Sequence, residues 1–372
     1  MASRKFVIAF SSMATLPFPR FVSLVLKYPV DLKYYPRCFV AGLISLVIEP
    51  FRWIEKLVYD RKLARTPMPE SPVFILGHWR SGTTLLHNAI CKDDQFAYIN
   101  TYQSVFTNQF FANRWLFKPL MKWLIPEKRP ADNVLLSLDF PQEEELALCN
   151  AQSYSFYNFF YFPRQWKTFY NKYIGGQEAN ASDTAIYGRR YKKLIAQALL
   201  EYNRNEFISK NPPNTGRIKD LLTLFPNAKF IYIYRNPVKV YLSTVNFFQV
   251  TLEPLQLQSY SHRDFEEFVF ELHERIIRDY ETQKSLIPKG NLIEVRYEDF
   301  EQDPISGLEN IYRTLSLKGF EAARPAFEAY LESQKKFEKG RHPLSEETLK
   351  EISRRCAYTL QLYGYHSEET GK

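Results

Sequence analysis

Val73-Phe74-Ile75-Leu76-Gly77-His78-Trp79-Arg80-Ser81-Gly82-Thr83-Thr84 runs from an apolar stretch through a glycine-bounded turn into a helical pattern that starts at about Thr83. An apolar run without alternation reads as a strand covered on both faces. A turn between such a strand and a helix aims successive backbone N–H groups at one point, and the helix N-terminus adds positive potential there. By physics alone this is a cradle for a phosphate-like anion. Lys229 to Tyr234 (KFIYIY) predicts a second buried strand and Asn291 to Val295 a third, while helical patterns cover Tyr187 to Tyr202 and Asp264 to Leu286. Strands separated by long helical segments need crossover connections, and crossovers make a parallel sheet. The expected fold class is α/β, with a P-loop-like central parallel sheet flanked by helices and a helical N-terminal extension. The expected division is 1–70 for the extension and 71–372 for the main domain.

The turn has the frame G-x-x-x-x-G-K-[ST] of a nucleotide-binding loop, but Thr83 stands where that motif has lysine. That lysine reaches the outer phosphates of a triphosphate, so its replacement points to a donor with fewer phosphates. The second strand ends in Tyr234-Arg235-Asn236-Pro237, and Ser243 follows Arg235 by eight positions on the next helix. A nucleotide triphosphatase would place an acid after this strand to hold magnesium. Here the charge is reversed: Arg235 offers a fork of donors to a phosphate and Ser243 a hydroxyl. A kinase-like or NTPase-like enzyme is the alternative catalytic reading, and a non-catalytic, membrane-peripheral binding protein the alternative from another class.

The chain has 372 residues, 45% of them hydrophobic and 24% charged, an ordinary balance for a folded protein. Thirty Phe and 25 Tyr point to an apolar pocket, a membrane-facing surface, or both, and a net charge of +8 favours anionic partners. No zinc-finger or RNP-like segment points to nucleic acid. Cys38, Cys91, Cys149 and Cys356 are far apart in sequence, which suits buried thiols in a reducing, cytoplasmic compartment and implies no metal site. The richest apolar run of the N-terminal region, Cys38 to Ile48, is shorter than the roughly 20 residues needed to span a bilayer. Residues 1–70 are read as helices packed on the main domain, as a segment leaning on a membrane, or, from Phe6 to Leu16 behind Arg4 and Lys5, as a signal or anchor.

Taken together, RSGTTLL after a strand, the Lys210-Asn211-Pro212 triplet, and FPNAKFIYIYRNPVKVYLST resemble the sulfotransferases that use 3′-phosphoadenosine-5′-phosphosulfate (PAPS), in the branch of the tyrosylprotein enzymes and many bacterial homologues. The likeness runs from about Pro72 to Tyr365. It implies that Arg80, Ser81, Gly82, Thr83 and Thr84 hold the 5′-phosphosulfate, and that Arg235 and Ser243 hold the 3′-phosphate of PAPS and of its product PAP. It also implies that Lys210, with Arg80, neutralises charge on the leaving phosphate oxygen. The acceptor hydroxyl needs a base. Glu143 in Pro141-Gln142-Glu143-Glu144-Glu145 matches the branch's acidic cluster, although three adjacent carboxylates also read as a solvated helix start. His87 is the other candidate, read equally as a structural imidazole on a packed helix. Arg296-Tyr297-Glu298-Asp299-Phe300 with Asp303-Pro304 fits a structural segment of the family, and Phe337 to His342 a basic loop over the 3′-phosphate. Tyr154 to Tyr173, dense in aromatics, reads partly as core and partly as the wall of a site for a hydrophobic hydroxylated acceptor such as a sterol, steroid or lipid.

Overall fold

Val73–Leu76 forms β1, with all four side chains buried, as a strand covered on both faces requires. The computed structural model describes residues 12–125, 137–152, 154–176, 178–179, 181–334 and 346–365. The other strands are β2 (Phe96–Ala97), β3 (Glu206–Lys210), β4 (Lys229–Tyr234) and β5 (Leu292–Arg296), in the sheet order β2-β3-β1-β4-β5. Strands β3, β1, β4 and β5 pair in parallel, so the crossovers read from the sequence are present. Ile75 pairs with Lys210 on one side of β1, and Leu76 pairs with Tyr232 on the other. This register sets the carboxyl ends of β3, β1 and β4 side by side, the edge at which open α/β sheets bind ligands.

The fold is the expected α/β class, with β1 and β4 at the bounds read from sequence. β5 runs one residue later than expected, beginning at Leu292. The helix expected from Tyr187 begins at Ala181, and the one expected from Asp264 spans His262–Gln283 with a 3₁₀ turn to Leu286. β3 was not expected. Phe207 and Ile208 are its only apolar residues, yet every position after Glu206 is buried. The Tyr154 to Tyr173 stretch has no single period because it changes geometry twice: 3₁₀ turns at Phe156–Phe160 and Pro163–Gln165 precede the helix Trp166–Tyr173.

Two compact units divide the chain. One contains Met1–Pro69, Ala97–Phe207 and Phe248–Ser261; the other contains Glu70–Phe96, Ile208–Phe247 and His262–Lys372. The first is helical, with a core cluster around Ile48, Tyr102, Phe106, Phe110, Phe117 and Met121. Buried charges tie its segments together. Arg52 pairs with Glu49 and donates to the carbonyls of Thr15 and Leu16, and the Glu55 carboxylate accepts the backbone N–H groups of Phe111 and Ala112. Pairing and hydrogen bonds offset the cost of this burial, since a stranded charge costs several kcal/mol. None of the described helices is long and apolar enough to cross a membrane.

The second unit, which carries the sheet, buries His78, His87 and His273. The His78 and His273 rings meet edge to face at 4.7 Å, and His78 Nδ1 donates to the Trp79 carbonyl at 2.8 Å. Burial pushes His78 down to about 4 and holds His87 and His273 well below the usual histidine range; the Lys210 ammonium adds to the effect at His87, and His78 to that at His273. The unfolded chain protonates near 6.5 while the folded imidazoles stay neutral, so stability is complete above that pH and is lost as pH falls toward 4. For His78 the loss by pH 5.5 is on the order of 1 kcal/mol. Melting temperature should therefore drop between pH 7.5 and 5.5, and His273→Gln should make the drop shallower. An equal melting temperature at both pH values would contradict this account.

Candidate active site

The turn after β1 follows a backbone path that few residues adopt. Gly77, Arg80 and Gly82 have φ of 145°, 69° and 101°. For Arg80 this is the left-handed region, with a cost on the order of 1 kcal/mol that surrounding contacts must offset. At Gly77 a Cβ would fall 2.4 Å from the Ile233 carbonyl oxygen, and at Gly82 it would fall 2.1 Å from the Tyr297 ring. Both positions therefore require glycine. Thr215, in the 3₁₀ turn Pro212–Gly216 after β3, clamps the start of the turn: its hydroxyl accepts from Gly77 N at 2.8 Å and donates to Gly77 O at 3.2 Å. Alternation of right- and left-handed residues is the geometry in which consecutive N–H groups make an anion-binding concavity. The helix Thr83–Ile90 begins directly behind it.

Basic side chains flank the turn on both sides. Lys210 ends β3 and is only 2% exposed. Arg235 follows β4 and lies over the Tyr297 ring at 4.3 Å, with its Nη1 3.5 Å from the Arg80 carbonyl oxygen. Arg80 Nε donates to Ser243 Oγ at 2.8 Å. The structure thus brings Arg80, Arg235 and Ser243, from the turn, the β4 end and the next helix, into one group. Ser81 is 1% exposed, and among the described residues its hydroxyl has no hydrogen-bond partner, nor has the buried Nε of Arg235. Thr83 is buried and Thr84 half-buried at the helix start. His87 lies one turn further on, fully buried and neutral at physiological pH.

Asn236 and Pro237 explain the rest of the Arg-Asn-Pro triplet. The Asn236 side chain accepts from Val238 N at 3.0 Å and Lys239 N at 3.3 Å, and Pro237 opens the helix Pro237–Leu255. The Asn236 N–H donates to Glu298, whose other oxygen accepts from the Tyr365 hydroxyl. The Arg296 to Phe300 segment therefore backs the site: Tyr297 underlies Arg235 and presses on Gly82, and Glu298 holds Asn236. Thr215 is a supporting residue that sequence reasoning missed, while Tyr297 lies in the segment read there as structural. Thr215 follows the Lys-Asn-Pro triplet closely, and that proximity was the one available signal.

Glu143 belongs to the helical unit, half-buried just ahead of the helix Glu144–Gln152, and it accepts a hydrogen bond from the Tyr157 hydroxyl. Its neighbours do not form a solvated helix start. Glu144 and Glu145 are fully buried, and Glu145 accepts from Ser155 Oγ at 2.9 Å and Phe156 N at 2.7 Å, capping the 3₁₀ turn that follows. Most of the Tyr154 to Tyr173 aromatics are core. Phe156, Phe159 and Phe162 are wholly buried, and Phe159 and Phe160 pack on Phe248. Tyr157, with Phe160 edge-on at 4.9 Å, reaches Glu143 through its hydroxyl. The basic Phe337 to His342 loop and the start of the Phe6 to Leu16 stretch lie outside the described residues.

Residues 72–322 match the model of the sulfotransferase family. The chain is 30% identical over 320 residues to the omega-hydroxy-beta-dihydromenaquinone-9 sulfotransferase Stf3 of Mycobacterium bovis, with 86% of this chain and 82% of that protein covered. The Stf3 of Mycobacterium tuberculosis matches to the same extent. Among solved structures, the sulfotransferase STF9 from Mycobacterium avium superposes with a TM-score of 0.65 at 16% identity, covering 93% of this chain and 90% of that one. The sulfotransferase STF1 from Mycobacterium tuberculosis H37Rv gives 0.59 at 15% identity, covering 91% and 90%. The fold is theirs, and the chain is a member of the sulfotransferase family.

Proposed function

We propose that this sulfotransferase takes its sulfuryl group from PAPS without a metal, and passes it to the hydroxyl of an apolar, lipid-like acceptor with Glu143 as base. The observation that carries the donor assignment is the convergence of Arg80, Arg235 and Ser243 beside a turn whose buried Ser81 hydroxyl lacks a partner among the described residues. Phosphate oxygens are acceptors, and the partnerless groups at this site, Ser81 Oγ and Arg235 Nε, are donors, so the residues present fit the group. Backbone N–H groups from Arg80 to Thr84, with the Ser81, Thr83 and Thr84 hydroxyls, hold the 5′-phosphosulfate. Arg235 and Ser243 hold the 3′-phosphate, and Arg80 joins the two ends through its bond to Ser243. PAPS supplies an activated sulfuryl group. Lys210 and Arg80 stabilise the charge that builds on the leaving oxygen.

Glu143 removes the acceptor proton, and the Tyr157 hydroxyl fixes the carboxylate for that task. The alternative base, His87, sits at 0% exposure on a packed helix, which favours the carboxylate. The mycobacterial relatives are named for a hydroxylated menaquinone, which supports a lipid-like alcohol as the acceptor class here. The same reading keeps the chain cytoplasmic, with peripheral membrane contact through residues 1–70.

Arg235→Ala should weaken PAP binding about tenfold to a hundredfold, the equivalent of a charged hydrogen bond of roughly 1.5–3 kcal/mol. Calorimetry in the presence of a chelator measures it; a requirement for magnesium would overturn the donor assignment. Glu143→Gln and Lys210→Ala should depress kcat on the order of a hundredfold or more while leaving PAP affinity within a few-fold. Tyr157→Phe should lower kcat less and leave PAP affinity alone. Near-normal turnover in Glu143→Gln would place the base elsewhere. At matched PAPS, long-chain and isoprenoid alcohols should be sulfated in preference to sugars and tyrosine peptides, and the reverse order would remove the lipid-like acceptor while leaving the family assignment untouched.

A further inference from the structure

Two helices of the helical unit are amphipathic in the wrong sense for water, and a third, which buries Phe117 and Met121 in the ordinary way, adds exposed tryptophans. The helix Tyr35–Val47 buries Cys38, Ala41, Gly42 and Ser45 and exposes Phe39, Leu43, Leu46 and Val47. The helix Glu49–Ala64 buries Arg52 and Glu55 and exposes Trp53, Ile54, Leu57 and Val58, with Leu57 at 80%. The helix Arg114–Leu124 turns Trp115 and Trp123 outward, each at 74%. Phe51 on the second helix packs edge-on against Phe117 on the third at 5.3 Å, so these two are neighbours. Of the seventeen large apolar side chains exposed among the described residues, fifteen lie between Leu26 and Trp123. Scattered exposed leucines need no explanation, but small or polar residues inside with large apolar residues outside is the arrangement of a surface that faces lipid.

The charge on these helices identifies the partner. Their acids are turned inward or already paired: Glu49 with Arg52, Glu55 with backbone N–H groups, Asp60 with Lys193. The outward charges are positive. Lys56 lies over the Trp53 ring at 5.3 Å, Lys122 is exposed beside Trp123, and exposed Arg61, Lys62 and Arg65 line, with Val58 and Leu200, a shallow depression of about 480 Å³. A second copy of the chain would cover the apolar residues but set one basic rim against another. An anionic bilayer satisfies both, since tryptophan favours the headgroup boundary and lysine and arginine favour lipid phosphates.

We propose that this face seats the protein in the interface of an anionic lipid bilayer, with Trp53, Trp115 and Trp123 at headgroup depth and Arg61, Lys62 and Arg65 holding lipid phosphates. The inference rests on the membrane contact read from residues 1–70 and extends it to the helix Arg114–Leu124. It assumes nothing about the acceptor. No described helix spans a membrane, so attachment is to one leaflet.

Co-sedimentation of the full chain with phosphatidylcholine vesicles, with and without phosphatidylglycerol, tests it. Binding should favour the anionic vesicles and weaken with salt. Replacing Trp115 and Trp123 together by Ser should lower binding at least about tenfold. Replacing Arg61, Lys62 and Arg65 together by Gln should lower binding to the anionic vesicles roughly a hundredfold, with little change on neutral ones. Turnover of a short water-soluble alcohol should be unchanged in both variants, which separates loss of docking from loss of folding. The proposal falls if the wild-type chain sediments with neither vesicle. It also falls if the tryptophan variant binds like wild type, or if ultracentrifugation shows a dimer that those substitutions split. Failure of sulfuryl transfer alongside intact vesicle binding would count against the donor site and leave the docking face standing.

Discussion

A backbone that passes through positive φ at Gly77, Arg80 and Gly82 does not hold its own shape, and the sheet-bearing unit is arranged to hold it. Thr215 binds both the N–H and the carbonyl of Gly77, Thr244 donates toward the Trp79 carbonyl at 3.4 Å, and Tyr297 closes the space behind Gly82. These contacts come from the segments that follow three different strands, β3, β4 and β5. Strain in the turn is therefore distributed over the sheet, and the turn is organised before any ligand arrives. Preorganised donors of this kind act at full strength in a transition state because nothing must reorient as charge develops.

The parallel register carries that organisation outward. With β1 between β3 and β4, Lys210 at the end of β3 and Arg235 directly after β4 fall beside the turn without any further device. Cations gathered in one place repel, and the surrounding residues moderate this. Arg235 rests on an aromatic face, and Lys210 adjoins an imidazole held neutral by burial. In the helical unit the polar network runs the other way: Arg52 and Glu55 are drawn inward to stitch segments together, which frees the outer surface to be apolar.

How much of this was legible in the sequence varied with the physics of each element. β1 and β4 were readable because strands covered on both faces are continuous apolar runs. β3 was hidden, since its burial includes Ser209 and Lys210, whose side chains are there for the site and not for the core. The turn and its flanking arginine were readable because strand, glycine and helix start follow in order. Thr215 was not, and Tyr297 was legible only as part of a structural segment, since both reach the turn through the third dimension. The acidic triplet misled for a related reason. Glu144 and Glu145 look solvated by composition, but one caps a neighbouring turn and both are sealed inside.

The contact between Gly82 and Tyr297 has a consequence on the scale of lineages. Any side chain at position 82 meets the ring, so descendants can accept one there only after the residue at 297 has become smaller. A smaller residue at 297, however, removes the platform under Arg235 and the backing of the turn in the same step. The two positions are therefore coupled: a substitution at either that does not keep the ring and the glycine disturbs the donor site. Drift at these two positions should be far slower than the distance between them along the chain would suggest.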